Sequence, residues 1–314
     1  MTAYVLATGI QFGNGTQRTS GRWATKAIFG YGQATGGTKV NISNLINIFG
    51  GVATDVTISG SAVRAGLAAA GYGYDRAIFA YGYTTTFVSF STLFGNLGTT
   101  TAEVSGVGTA RESLAAAGYG GDKAIFGFGD NPQPRAMTNL VSNLGVVASD
   151  VLSAGTARYY LAATSYGGDK AIFGYGYTGS SIVSVTTLVT NTGSVGFDTA
   201  GVGTARYNLT AAGYGGDKGI FAYGVTSGGG VTITNLVSNT GVVASDVTSS
   251  GTQRQSLSGA GYGGDKAIIG YGYPYSTGVA VNLTNLISNV GVVSTDVTGV
   301  GSARFALAAS SYSS

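Results

Sequence analysis

The amino-acid sequence predicts an all-β chain folded as a six-bladed β-propeller, one domain spanning residues 1–314. Three observations carry that expectation. A unit of about 48 residues recurs in tandem, each unit holds four short strand-like runs punctuated by turns, and the two ends of the chain supply complementary pieces of a unit.

The period is read from an arginine. It stands at positions 18, 64, 111, 158, 206, 254 and 304, with successive gaps of 46, 47, 47, 48, 48 and 50 residues. Twelve residues after that arginine, in five copies, comes the cation that opens the second strand (Arg76, Lys123, Lys170, Lys218, Lys266), and five further on an aromatic residue precedes glycine (Tyr81, Phe128, Tyr175, Tyr223, Tyr271). A leucine later in the unit is always ten residues before an acid, and that acid is eight before the next arginine, or nine in the first copy. Length variation is therefore concentrated in one segment, between the aromatic-Gly pair and the leucine.

Each unit reads as four strands, a to d. In the copy that starts at Arg206, strand a is expected over 207–213, and Gly215, Gly216 and Asp217 supply the chemistry of a tight turn into strand b, 218–224. Strand c is expected over 231–238, a turn at Asn239-Thr240-Gly241, and strand d over 242–248. Strands a and b are nearly continuous small or apolar runs, as strands covered on both faces are. Glycine at this density costs a helix about 1 kcal/mol each relative to alanine, which argues against a helical solenoid. Residues 4–17 match strand d and the loop after it, with Gly9 where the acid belongs, and 304–312 match strand a. Six blades follow over residues 18–303, with 304–314 closing the ring onto a first blade whose own strand a, 19–25, is truncated; closure spares the ring an exposed edge.

Composition narrows the chemistry. The 55 glycines and 3 prolines fall short of a disordered composition beside 44% hydrophobic residues, so the chain can bury a core. With no cysteine and no histidine, disulfides, thiolate nucleophiles and the commonest transition-metal ligands are absent, and neither a cofactor nor a metal is expected. Only 9% of residues are charged and the net charge is +3, too weak a field to expect nucleic acid or an anionic bilayer as a partner. No signal peptide and no membrane segment is read.

An arginine, an apolar strand, a Gly-Gly-Asp-Lys turn and an aromatic-Gly strand together resemble kelch repeats and the repeats of chromosome-condensation-regulator propellers, across the whole chain. The departures are Tyr-Gly where kelch has Gly-Gly and a single tryptophan, Trp23. The wording Gly-Gly-Asp-Lys-Ala-Ile-Phe-Gly-Tyr-Gly, followed by Asn-Leu-Val-Ser-Asn-Thr-Gly-Val-Val-Ala-Ser-Asp, more closely resembles repeats in virion structural proteins of tailed phages, marine ones especially. That resemblance implies a component of a virion tail or capsid surface, with other virion proteins as partners.

Most charged residues sit at repeat-equivalent positions. The acids Asp55, Glu103, Asp150, Asp198, Asp246 and Asp296 each precede the arginines Arg64, Arg111, Arg158, Arg206, Arg254 and Arg304 in turn. Across so short a connection they are expected to pair as structural ion pairs that satisfy buried backbone groups. The glycine turns lack the helix that a phosphate-binding loop needs behind it. Outside the repeat only two acids, Glu112 and Asp130, remain, and nothing in the sequence pairs them as glycoside hydrolysis requires. The turns and cross-linked residues of propeller sialidases and kelch-like copper oxidases are missing, so no catalytic residue is expected. Asn-x-Ser/Thr triplets at Asn41, Asn208 and Asn282 are read as chance.

Function is instead expected where sequence is free. In blade topology the b–c loops and d–a connections open on one face, and the a–b and c–d turns of constant length lie on the other. The b–c loops are rich in Tyr, Thr, Ser, Gly and Asn, the palette of adaptable recognition surfaces, and offer Tyr83, Thr85, Phe87, Asn131, Gln133, Arg135, Tyr177, Tyr273 and Tyr275 as candidate binding residues. The expected role is binding of a host-surface glycan or protein. The alternatives are an assembly module docked on capsid or tail proteins, with residues 1–17 as tether, and a cellular interaction scaffold of kelch type; a homo-oligomer is compatible with each.

Overall fold

The computed structural model describes residues 25–312. Within them the chain is all β, six four-stranded antiparallel sheets arranged as the blades of a propeller, and no helix occurs. The N-terminal strand and tether expected over residues 1–17, and the truncated strand over 19–25 apart from Thr25, lie outside the described residues.

Blade 1 is assembled from both ends of the described chain. Its innermost strand is Ala308–Tyr312, which pairs with Lys26–Gly30 from Lys26↔Tyr312 to Gly30↔Ala308; Ile42–Ile46 and Val56–Thr57 complete it. Blades 2, 3, 4, 5 and 6 run in sequence order from their innermost strands, Ala68–Tyr72, Ala115–Tyr119, Ala162–Tyr166, Thr210–Tyr214 and Ser258–Tyr262. Closure by the C-terminal strand is thus as the sequence predicts.

Strands a and b form by local chemistry. The Gly-Gly pair between them adopts positive φ in blades 3 to 6, for example 62° at Gly120 and 82° at Gly121, where a side chain would be strained. Strand a then lies against strand b over five residue pairs, Ala115↔Gly127 to Tyr119↔Lys123 in blade 3. Strand a begins about three residues later than expected, at Thr210 in blade 5, because the residues just after the arginine are diverted into the axial ring described below.

Strand d departs furthest from expectation. In blades 1, 3, 5 and 6 it shrinks to two residues, Val151–Leu152 in blade 3, whereas in blades 2 and 4 it runs over Thr100–Val104 and Val195–Thr199 with a shift in register. The cause is one residue on strand c. Asn139 sits there in blade 3, and its amide donates to both the Ala148 carbonyl (3.0 Å) and Asp150 Oδ1 (2.9 Å), which pulls strand d out of the ladder. Thr92 and Thr187 replace that asparagine in blades 2 and 4 and have no amide to place, so the ladder continues.

The core is six clusters, each shared by two neighbouring blades. Between blades 2 and 3, Ala68, Ala70, Ile78 and Tyr81 pack on Leu114, Ala124, Phe126 and Val141; the seal between the last and first blades is made by Ile268, Tyr271, Phe29 and Ile46. Small residues on strand a let the wedges converge. Gly127 shows how closely: a Cβ there would lie 2.7 Å from Phe173 Cζ of the next blade.

Candidate functional site

The recurring arginines from Arg64 to Arg304 are the largest fully buried side chains among the described residues, each 0% exposed. Arg111 donates to the Phe128 carbonyl (2.8 Å), the Thr109 carbonyl (3.0 Å) and Asn139 Oδ1 (2.7 Å), and lies 3.8 Å from Asp150. Asp150 also accepts from the Thr109 hydroxyl (2.7 Å) and amide (2.8 Å). Burial pushes this carboxyl up, yet the hydrogen bonds from Thr109 and Asn139 together with Arg111 outweigh it and hold the pKa below the usual carboxylate value.

This geometry corrects the expected pairing. An arginine pairs with the acid of its own blade, some 40 residues later (|i−j| is 40 for Arg158 and Asp198), and not with the acid eight residues before it. The observed pairs are Arg111 with Asp150, Arg158 with Asp198, Arg206 with Asp246, Arg254 with Asp296, and Arg304 with Asp55 across the closure. The eight-residue connection crosses to the next wedge, so the sequence-near acid is in another blade. Arg64 has no ion pair among the described residues; it donates to Phe79 and Phe90 carbonyls and Thr92 Oγ1, with Glu103 acting only at longer range. Each guanidinium also stacks on the aromatic residue of the preceding blade, Arg111 4.2 Å from the Tyr81 ring centre and Arg304 4.2 Å from Tyr271. The charges that repeat are therefore fastenings within and between blades, consumed by structure.

Above these fastenings, on the loop face, the chain builds a ring around the axis. The residue two after each arginine (Gly66, Ser113, Tyr160, Asn208, Ser256, Ala306) has a φ between 51° and 66°. Each donates its N–H to the carbonyl of its counterpart in the preceding blade, Ser113 to Gly66 at 2.8 Å, Tyr160 to Ser113 at 2.9 Å, round to Gly66 to Ala306 at 2.9 Å. The result is a closed annulus of six backbone hydrogen bonds. One residue further on, Leu67, Leu114, Leu161, Leu209, Leu257 and Leu307 face the same axial cavity of about 360 Å³. A second axial cavity, of about 260 Å³, lies on the turn face, lined mostly by Ala, Gly and Ser of strand a, and the two share no lining residue.

The walls of the loop-face cavity are where sixfold likeness stops. The residue after each arginine bridges the first residue of the b–c loop, giving Gln33↔Phe305, Ala65↔Tyr83, Glu112↔Asp130, Tyr159↔Tyr177, Tyr207↔Val225 and Gln255↔Tyr273. Blade 3 thereby brings together the two acids that nothing in the sequence paired. Their backbones exchange hydrogen bonds of 3.1 and 3.0 Å, which puts both side chains on one face of the pair. Burial and then Asp130 push Glu112 up to about 7, with Lys39 pulling the other way. Burial pushes Asp130 up to about 6 against the nearby Ser113 hydroxyl, and Asp130 Oδ1 is buried with no hydrogen-bond partner among the described residues. Burial, then Asp130, raises Tyr160 to about 12. Beside the acids runs an aromatic wall: Tyr159 and Tyr160 lie 4.7 Å apart, and Tyr207 is 6.0 Å from both Tyr160 and Tyr177.

Of the residues expected to bind, Tyr83 and Tyr273 line this cavity, and Tyr177 backs Tyr159 at 5.6 Å. The others do not join them. Phe87 packs on Tyr83 at 5.4 Å, the Asn131 amide donates to the Ala110 carbonyl while Arg135 takes the Asn131 backbone carbonyl, and Tyr275, 53% exposed, covers the Gly229–Gly230 hairpin of blade 5. Thr85, Gln133 and these residues belong to the b–c hairpins, which touch from blade to blade, as where Ala280 donates to Thr35 Oγ1 at 2.9 Å. Sequence reading missed Glu112, Asp130, Tyr160, Asn208 and Lys39. For Glu112, Tyr160 and Asn208 the signal available was a variable pair of residues held between an invariant arginine and an almost invariant leucine.

The fold and this site define a closed β-propeller with one asymmetric, polar and aromatic axial cavity. No protein-family model matches the chain, and no curated protein matches it in sequence.

Proposed function

We propose that the chain is a non-catalytic recognition module that engages a host-surface glycan or protein through its loop face, with the axial cavity as the centre of the contact surface. The observation that carries this reading is the contrast between the two faces: one keeps its turn lengths, in all six c–d turns and in the a–b turns of blades 2 to 6, while the other changes both length and residues, and it changes them where the cavity opens. Tyrosine walls beside small polar groups supply flat stacking surface and hydrogen bonds together, which is what sugar rings and adaptable protein contacts use. The wording of the repeat supports placement on the tail or capsid surface of a phage particle.

The test is binding to host cells, or to a glycan array, by the purified protein and by a variant carrying Tyr83→Ala, Tyr160→Ala and Tyr273→Ala. Alanine is accepted at position 160, since Ala306 holds the same place with the same backbone in blade 1. Loss of binding by more than tenfold with an unchanged circular-dichroism spectrum supports the reading, and retained binding removes it.

A second reading has its own observation. The c–d turns carry an arc of apolar tips on the opposite face, Phe49 at 80%, Leu97 at 71%, Leu144 at 72% and Val290 at 68% exposed, over blades 1, 2, 3 and 6, with threonine at the tip in blades 4 and 5. Exposed apolar residues gathered along one side of a face suit docking onto another protein of the particle. Replacing the four tips by serine separates the readings: lost particle incorporation with intact cell binding favours docking through this face.

A further inference from the structure

We infer that the loop-face cavity takes a neutral N-acetylated hexosamine, its acetamido methyl on the ring of leucines and its sugar ring against the aromatic residues of blades 1, 2 and 6. The inference rests on the loop-face reading and adds the class of ligand.

The lining favours a ligand without charge. Among the described residues its charged side chains are one of each sign, Lys39 and Glu112. The lysine ammonium already has a place, 4.8 Å over the Tyr83 ring. An ion of either sign would meet a like charge as well as an opposite one, whereas a neutral ligand needs only contact area and hydrogen bonds.

The rest of the lining falls into zones that fit different parts of such a ligand. Six leucines, one from each blade, form a zone without a polar side-chain atom. On the blade 1 side that zone continues through Ala306 and Phe305, and Phe305 meets Tyr273 of blade 6 edge-on at 4.8 Å. A hexose has apolar C–H faces for aromatic rings such as Tyr83, Phe305 and Tyr273, but its hydroxyls would lose water without replacement on the leucines. An acetamido group ends in a methyl, which has no such loss. Behind the methyl stands an amide with one donor and one acceptor to satisfy, and Gln33 from blade 1 and Asn208 from blade 5 bring side-chain amides of the same kind to the cavity. Asn208 gives an amide proton to Gln255 Oε1 at 3.2 Å, which fixes its orientation and leaves Oδ1 to accept.

The repeat also shows that the space could have been filled. Ala306 and Tyr160 hold equivalent places in the annulus with one backbone conformation, φ 51° and 54°, yet blade 1 carries a methyl where blade 4 carries a phenol. At about 360 Å³ the cavity is at the low end of small-molecule sites, room for one substituted sugar ring and not for a folded segment.

The experiment is isothermal titration of the whole protein at pH 7 with three disaccharides that differ only at C2: the β-linked dimers of N-acetylglucosamine, glucosamine and glucose. N-acetylgalactosamine and galactose test the other configuration in the same way. An acetylated sugar is expected to bind at least tenfold tighter than its amine and hydroxyl counterparts, with little dependence on salt. Ala306→Tyr, which copies blade 4, is expected to abolish that binding with an unchanged thermal unfolding midpoint, and Ala306→Ser, which copies blades 3 and 6, to keep it. Equal or tighter binding of the amine or hydroxyl sugars, no binding of either acetylated sugar at millimolar concentration, or undiminished binding by a folded Ala306→Tyr protein overturns the inference. The loop-face reading is judged separately: cell binding that is lost in the tyrosine variants but is not competed by acetylated sugars overturns this inference and leaves that reading standing.

Discussion

Removing the charge from Glu112 and Asp130 is expected to stabilise the protein at alkaline pH. Glu112 rises from 4.5 to about 7 and Asp130 from 3.8 to about 6 on folding. Each folded value lies above the unfolded one, so the native state holds its protons more tightly and stability falls as pH rises between them. At roughly 1.4 kcal/mol per unit the gross loss is about 3 kcal/mol for each group. Both side chains are only partly buried, and solvent screening reduces the loss for the pair to about 1–2 kcal/mol. The Glu112→Gln, Asp130→Asn protein should therefore match the wild type in urea unfolding near pH 4 and exceed it by that amount at pH 8. The fastening acids Asp55, Asp150, Asp198, Asp246 and Asp296 have the opposite sign: their pKa is lowered on folding, so their contribution is present above 3.8 and is lost as pH falls below it. They are common to both proteins and cancel in the comparison. Parallel stability profiles from pH 4 to 8 would refute the reasoning.

Two further outcomes follow from the packing. Gly127→Ala drives a methyl into Phe173 and should cost about 1–3 kcal/mol by thermal or urea unfolding, toward the low end if the ring can shift as it does in the blade 2–3 seam, where Ala80 packs in the same cluster as Phe126; a cost above that range would contradict this account. Arg206→Met should cost about 3–5 kcal/mol by leaving Asn235 Oδ1 and two carbonyls without their donor and Asp246 without its cationic neighbour, and Arg206→Lys should recover little, since an ammonium cannot reproduce the three-way fork or the stacking on Tyr175; full recovery with lysine would contradict this account.

Much of the architecture is legible in the sequence because a propeller repeats its instructions. The arginine metric, the glycine turns and the stray strand at 304–312 fix blade number and closure without any long-range inference. Partner assignment is less legible for the same reason. Asp150 lies eight residues before Arg158 and about 40 after Arg111, and only the three-dimensional phase of the wedge decides that the distant arginine is its neighbour. The length of strand d was unreadable until Asn139 was seen to reach two acceptors at once. At the candidate site, attention to loop length picked out Tyr83 and Tyr273, whereas Glu112 and Tyr160 sit where length never changes and only residue identity does. Glu112 and Asp130 are 18 positions apart, with a whole hairpin between them, and no local pattern advertises that they face each other.

The annulus of six backbone hydrogen bonds has an electrical corollary. Peptide dipoles pointed one after another around a circle of near-identical blades cancel in every sideways direction, unlike the aligned dipoles of a helix, which add. The main chain therefore gives the mouth of the cavity no preferred compass bearing. Whatever pull a charged visitor feels toward one sector comes from side chains alone, and substitutions at residues 39, 112 and 130 can reset that bearing without disturbing the hoop beneath them.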